Sequence, residues 1–300
     1  MNDAENKAAV FSSKKQHMML SYIIQQRMGI IIKKSLRTAL IAVCVVFIII
    51  FAFSAYKIAS TIIGYRKAAK EYTGLSNQFV VTVSPSPTPS AAVGTGETPE
   101  STEPAKEVFP FKVDFETLRQ TSKDAVGWIY SENTPINYPI VYGEDNVYYL
   151  EHLHNGDFNL NGSIFIDCRE PADFSCKNTV IYGHNMNDGS MFASLRKYRD
   201  AAYYPEHPCL YIATPDKYYR VDIVAGLITE STSYIYAFDF ETEEQFLAYI
   251  ESAKASSTFQ SDVEVDVDDQ IVTLSTCTYE IDNGRYVIIG KLVECAPPEG

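Results

Sequence analysis

The sequence predicts a mostly β domain, a closed barrel with peripheral helices, preceded by one transmembrane helix and a Pro/Ser/Thr-rich linker. Three observations predict it. Thr38 to Tyr56 (TALIAVCVVFIIIFAFSAY) is a nearly unbroken apolar run, about the length one helix needs to cross a bilayer. Ser84 to Glu107 carries Ser-Pro-Ser-Pro-Thr-Pro-Ser and Glu-Thr-Pro-Glu-Ser-Thr-Glu-Pro, which have nothing to bury and stay extended. Beyond it, short segments rich in β-branched and aromatic residues recur between turn signals, with few helical patterns among them.

From the N-terminus, residues 1–37 hold seven cations (Lys7, Lys14, Lys15, Arg27, Lys33, Lys34 and Arg37) and residues 38–56 form the apolar span. Lys57, Arg66, Lys67 and Lys70 follow it. The bias favours a cytoplasmic N-terminus and an exterior C-terminal domain, a single-pass cell-membrane protein. A cleaved signal peptide is the competing reading, but the run is long for one, starts late and lacks a small-residue cleavage site. Residues 57–106 read as a helical and then extended juxtamembrane segment that passes into the linker, and residues 107–296 as the folded exterior domain.

Within that domain, Asp114 to Asp124 predicts a short helix. Strands are expected at Val126–Tyr130, Ile136–Tyr142, Ser163–Asp167, Thr179–Gly183, Cys209–Thr214 and Tyr218–Thr229. Phe240 to Ser256 has helical period, with Phe246, Leu247 and Ile250 on one face. Val263–Val267, Ile271–Cys277 and Arg285–Glu294 complete the strand set, and Asp282-Asn283-Gly284 marks the turn between the last two.

The chain carries a net charge of −13. From Glu107 onward, 13 Lys and Arg face 32 Asp and Glu, a net of −19. That excludes nucleic acid as a natural partner, since phosphate binding needs a basic surface. Five of the six cysteines (Cys168, Cys176, Cys209, Cys277 and Cys295) lie in the exterior domain, so at least one thiol there is unpaired. The Cys168 and Cys176 spacing permits a disulfide, although a domain of this size holds together without one. No cofactor is implied and no metal-ligand spacing is present.

Thr273-Leu274-Ser275-Thr276-Cys277 is the segment richest in chemistry. It runs off a strand into a cysteine, and Arg285 opens the next strand. If the two strands are antiparallel neighbours, Cys277 and Arg285 flank one spot. Upstream, Tyr182-Gly183-His184-Asn185 puts a histidine at the end of another strand, where Gly183 permits a turn that presents the ring. Asn185 and Asp188 read either as orienters of that ring or as turn and capping residues ahead of a helix at Gly189–Tyr198.

These residues resemble the sortases, most closely class B. The shared text is TLSTC (273–277), RYVIIGKL (285–292) and Tyr182-Gly183-His184-Asn185 followed by Asp188-Gly189-Ser190-Met191-Phe192, over roughly residues 107–296. The resemblance implies an eight-stranded barrel with N-terminal helices and a long helix between strands six and seven. It implies a cysteine transpeptidase in which Cys277 attacks a Thr–X bond of a C-terminal sorting motif, Arg285 holds the oxyanion and His184 moves the proton. Its sorting motifs suggest the patterns Asn-Pro-x-Thr-x or Ser/Pro-Pro-x-Thr-Gly. The partners implied are the sorting peptide of an exported surface protein and an amine, either of a peptidoglycan precursor or of a pilin lysine. Substrate contacts carried over from the family fall on Ser275, Asn146, Leu150, Tyr234 and Ile235. Thr278 stands where many class B members have an acid. A plain cysteine peptidase and a non-catalytic surface binding module are the other readings left open.

Overall fold

The structure is a computed structural model and describes residues 3–82 and 107–298. Most of the expected linker, residues 83–106, lies outside the described residues. The chain divides into two compact units, residues 1–62 and 63–300.

Helix α1 (Asp3–Phe79) is the one helix among the described residues long and apolar enough to cross a membrane. Between Met18 and Ile63 the large apolar side chains described stand exposed, with Phe47 at 66% and Phe51 at 75%. A helix apolar on all sides belongs in a core or in lipid.

In the second unit, the last turns of α1 bury Ala68, Tyr72, Leu75 and Phe79, spaced by four, three and four residues along one face. The Tyr72 hydroxyl donates to the Gly162 carbonyl at 2.7 Å, and Lys67 pairs with Asp157 at 2.9 Å. The chain then forms β1 (Val80–Thr82), antiparallel to β2 (Phe111–Val113). Helix α2 (Phe115–Thr121) starts at Asp114, whose carboxylate accepts from the Thr117 backbone N–H at 3.0 Å. That is an N-cap, and it places the helix within the expected segment.

Eight strands close the barrel: β3 (Ala125–Tyr130), β4 (Asn137–Tyr142), β5 (Ile164–Ile166), β6 (Asn178–Tyr182), β7 (Cys209–Ala213), β8 (Tyr218–Glu230), β9 (Ile271–Cys277) and β10 (Gly284–Glu294). Around it they run β10-β8-β7-β3-β4-β5-β6-β9, and β9 closes on β10. The β4–β5 and β6–β9 pairs are parallel and the rest antiparallel. Trp128, Ile140, Ile164, Ile181, Ile212, Ile223, Leu274 and Ile288 belong to one buried core. The Trp128 indole N–H finds Asn137 Oδ1 at 2.7 Å, so its burial leaves no donor unpaired.

Helix α3 (Glu243–Ala255) lies between the sixth and seventh barrel strands. It buries Phe246, Tyr249, Ile250 and Ala253 against Val224, Ile271 and Val287. Thr242 and Gln245 cap its N-terminus: the Thr242 hydroxyl accepts from Gln245 N, and Gln245 Oε1 accepts from Glu241 N. Each satisfies a donor that the first turn leaves open.

Two expected elements differ. Val263–Val267 alternates in exposure as a strand would, but it has no strand partner. Lysine ammonium groups hold its carbonyls instead: Lys254 on Val263, Lys291 on Glu264 and Lys177 on Val267. Alternation reports a half-buried extended chain and is silent on what satisfies its backbone. The helix expected over Gly189–Tyr198 begins only at Ala193, as a 3-10 turn to Arg199. Gly189 and Met191 take positive φ (85° and 55°), which a right-handed helix does not admit.

Gly162 has φ +59°, and a Cβ there would meet the carbonyl oxygens of Tyr149 at 2.5 Å and Leu150 at 2.7 Å. Gly162→Ala is expected to cost about 1–3 kcal/mol, read as a lowered denaturation midpoint with an unchanged m-value.

Candidate active site

The β9–β10 ladder places Cys277 directly opposite Arg285, at the end of the pairing. Cys277 is partly exposed. The Arg285 guanidinium donates from Nη1 to the carbonyls of Gly284 at 3.0 Å and Asn283 at 3.3 Å. Among the described residues no carboxylate pairs with it. Glu280, in the turn between the two strands, pairs with Arg199 and accepts from the Thr278 hydroxyl at 2.7 Å. Arg285 thus keeps donors for an incoming oxygen, and a guanidinium stays charged at any relevant pH.

His184 reaches this spot through the parallel β6–β9 ladder, in which Tyr182 pairs with Ser275. Two residues beyond that pair stand His184 on one side and Cys277 on the other. The match continues past the strand ends: Gly183 N donates to the Ser275 carbonyl at 3.1 Å, and Asn185 Nδ2 donates to the Cys277 carbonyl at 2.9 Å. His184 Nε2 lies 2.7 Å from the Leu150 carbonyl. A carbonyl only accepts, so Nε2 carries a hydrogen. Gly183 serves packing more than turning. A Cβ there would sit 2.5 Å from Ile164 Cδ1 and 2.6 Å from Phe192 Cδ2.

These three side chains line one cleft of about 230 Å³ with Asn146, Leu150, Phe165, Tyr182, Ser231, Tyr236, Ser275 and Thr276. The Ser275 hydroxyl bonds the Tyr236 hydroxyl at 2.9 Å. Asn146 and Leu150 are in the wall, but both ends of the Asn146 amide are committed: Nδ2 donates to Asp167 at 2.9 Å and Oδ1 accepts from Cys168 N at 2.8 Å. Tyr234 and Ile235 are not among the lining residues. Tyr234 is 55% exposed with its hydroxyl on Ser252, and Ile235 is buried in the core beneath α3. A 3-10 turn over Tyr234–Tyr236, capped by Ser233, turns the next tyrosine, Tyr236, to the cleft. The Tyr-Ile-Tyr text carries an aromatic at both positions, and only the turn decides between them.

Asn185 touches the cysteine strand and not the histidine ring, and Asp188 closes a turn through Ser190 N (3.0 Å) and Ser190 Oγ (2.6 Å). Cys168 and Cys176 are unbonded. Among the described residues no group of three or more His, Cys, Asp or Glu converges as a metal site.

Behind the wall, Asp167 is fully buried. Burial raises its pKa, yet hydrogen bonds from Arg169, Asn146 and Tyr182 outweigh that and hold it at about 2, because each stabilises the charged form. Glu170 is the opposite case. It is 2% exposed, one oxygen accepts from Val180 N at 2.7 Å, and Oε2 has no partner among the described residues. Burial pushes its carboxyl up to about 8.

Comparison with known proteins agrees with this arrangement. A family model described as a sortase domain matches residues 129–293. A sortase B of Listeria monocytogenes is 43% identical over 178 residues, which cover 59% of this chain and 72% of that protein. The Staphylococcus aureus sortase B–substrate complex superposes with a TM-score of 0.57 at 31% identity, covering 61% of this chain and 85% of that one. A Bacillus anthracis crystal structure described as similar to sortase B gives a TM-score of 0.61 at 31% identity, covering 77% of this chain and 97% of that one.

Between the ordinary carboxyl value of 4.5 and about 8, folded Glu170 holds a proton that the unfolded chain releases, so its contribution to stability falls as pH rises through that window. Glu170→Gln has no such group. Melting temperatures from pH 5 to pH 8 are expected to move in the variant's favour relative to wild type as pH rises; a constant offset would show that Glu170 does not titrate there.

Proposed function

This chain belongs to the sortase family, in its B class, and is a cysteine transpeptidase; we propose that it cleaves a Thr–X bond in the C-terminal sorting motif of exported proteins and transfers the acyl group to an amine of a cell-wall precursor. The observation that carries the residue roles is the double register. Arg285 faces Cys277 across one ladder, and His184 matches it along the other.

In this reading the Cys277 thiolate attacks the Thr carbonyl carbon, forming a C–S bond. Arg285 donates to the developing oxyanion, which a fixed charge stabilises more than the ground-state carbonyl. His184, as imidazolium, protonates the departing amine, and the C–N bond breaks to leave a thioacyl enzyme. The acceptor amine then attacks that carbonyl, His184 takes its proton, and the thiolate leaves as a new amide forms. One amide replaces another, so no nucleotide is consumed. Ser275 and Leu150 would line the bound peptide; Tyr236 is better placed for that role than Tyr234 or Ile235.

We propose further that residues 1–37 are cytoplasmic, that 38–56 anchor the chain as a single pass, and that the exterior unit acts at the cell surface. The apolar, exposed face of α1 supports the anchor. The burial of Tyr72, Leu75 and Phe79 supports placing the start of the exterior unit near residue 63 rather than after the linker.

The test is the full chain in detergent micelles, given Thr-containing sorting peptides with and without oligoglycine, diaminopimelate or a pilin-type lysine peptide, with products read by mass spectrometry. An acyl group on Cys277 resolved to an amide is the expected result, and the best amine names the acceptor. Free acid alone, undiverted by any amine, would sink the transpeptidase roles given to these residues. Cys277→Ala is expected to give no acyl-enzyme. Arg285→Ala is expected to lower kcat/KM by about 10²–10³, with less effect on alkylation of the Cys277 thiol.

A further inference from the structure

The cleft has two walls, and one ion pair behind them touches both. On one side, Asn146 Nδ2 donates to Asp167 at 2.9 Å and the Tyr182 hydroxyl donates at 2.8 Å. Both donors belong to residues that line the cleft. The Arg169 guanidinium grips the same carboxylate with two parallel bonds, Nε at 2.9 Å and Nη2 at 2.6 Å, and the Arg169 backbone N–H adds a third at 3.0 Å. That guanidinium also lies over the Phe238 ring, 4.7 Å from its centroid. Phe238 is two residues beyond Tyr236, which forms the adjoining wall, with its hydroxyl on Ser275 and its ring 6.2 Å from that of Tyr182. The Phe238 and Ala237 carbonyls are held by Asn178 of β6 at 2.9 and 2.7 Å, so this segment has a fixed seat.

Asp167 does not line the cleft and is fully buried. Five donors converge on its two oxygens. Neutralising a carboxylate so surrounded weakens bonds that its buried neighbours, Asn146 and Tyr182, make to it. We infer that the Asp167–Arg169 pair is a positioning clamp that sets the spacing of the Asn146/Tyr182 wall and the Tyr236 wall, and so sets affinity for the sorting peptide without taking part in bond breaking. This rests on the proposed function for the identity of the ligand. Asp167 acts through Tyr182 and Asn146, and Arg169 acts through Phe238.

The clamp predicts a split in the kinetics of the full chain, measured with whichever Thr-containing sorting peptide the wild type converts. Asp167→Asn should raise the peptide KM about tenfold while kcat stays within about threefold. Alkylation of Cys277 by iodoacetamide should be unchanged. Arg169→Met, which keeps the stem but not the charge or the ring contact, should move KM in the same direction. Tyr182→Phe preserves the ring and the fold, and the Asp167→Asn/Tyr182→Phe double variant should lose less than the product of the two single effects, as residues acting through one contact do. A lowered melting temperature with KM unchanged, or a loss confined to kcat, would overturn the clamp. Hydrogen exchange decides it independently of catalysis. Asp167→Asn should speed exchange at the Cys168 amide, which Asn146 holds, and across residues 236–238, while the β9–β10 ladder stays protected. Unchanged exchange in both walls would also overturn it, whereas failure of every peptide with wild type would count against the proposed function alone.

Discussion

The parallel ladder between β6 and β9 is the interaction on which the site depends. Antiparallel pairing of β9 with β10 comes from adjacent text joined by the short loop 278–283, but β6 and β9 are separated in sequence by β7, β8 and α3. Parallel pairing keeps a constant offset between partners, so the ends of the two strands leave the sheet side by side. That geometry carries His184 and Cys277 out at the same level, and the Asn185 bond to the Cys277 carbonyl extends the match one step beyond the strands. The barrel is closed, so neither strand has a free edge along which the register can slip.

Charge placement then decides what the site can do. The barrel domain is strongly acidic, yet among the described residues no carboxylate pairs with Arg285, and two nearby acids have other partners. Glu280 is committed to Arg199, and Asp167 behind the cleft is committed to Arg169 and the wall. A guanidinium stays open to a substrate in so acidic a chain only where nearby carboxylates are held elsewhere. Selective use of cations appears again in residues 263–267, where three lysines hold backbone carbonyls that a strand neighbour would otherwise take.

The end of α1 is part of the barrel unit and not merely a tether. Tyr72 bonds the Gly162 carbonyl and Ser163, and Gly162 in turn lies against the carbonyl of Leu150, the acceptor of His184. A run of contacts therefore joins the helix to the histidine through the 148–163 segment. Positive φ at Gly162 lets the segment fold back closely enough for this, a conformation that glycine adopts without steric cost.

Much of this was legible in the text of the chain. Local patterns predicted α2, α3 and all eight barrel strands to within a few residues, because each element reports its own burial through periodicity and its ends through caps and turns. The facing of Cys277 and Arg285 was also legible, since a short turn between two strands leaves little choice of partner. What was not legible shares one physical cause. The seating of His184 beside Cys277, the choice of Tyr236 over Tyr234 and Ile235 for the cleft, the commitment of Asn146 to Asp167, and the use of lysines in place of a strand partner at 263–267 all depend on groups far apart in sequence. By itself the sequence determined the elements, the apolar span and the residue types available for chemistry. Only the tertiary structure decided which of them meet, because hydrogen-bond partners and strand register across a closed barrel are set by long-range packing that no local window contains.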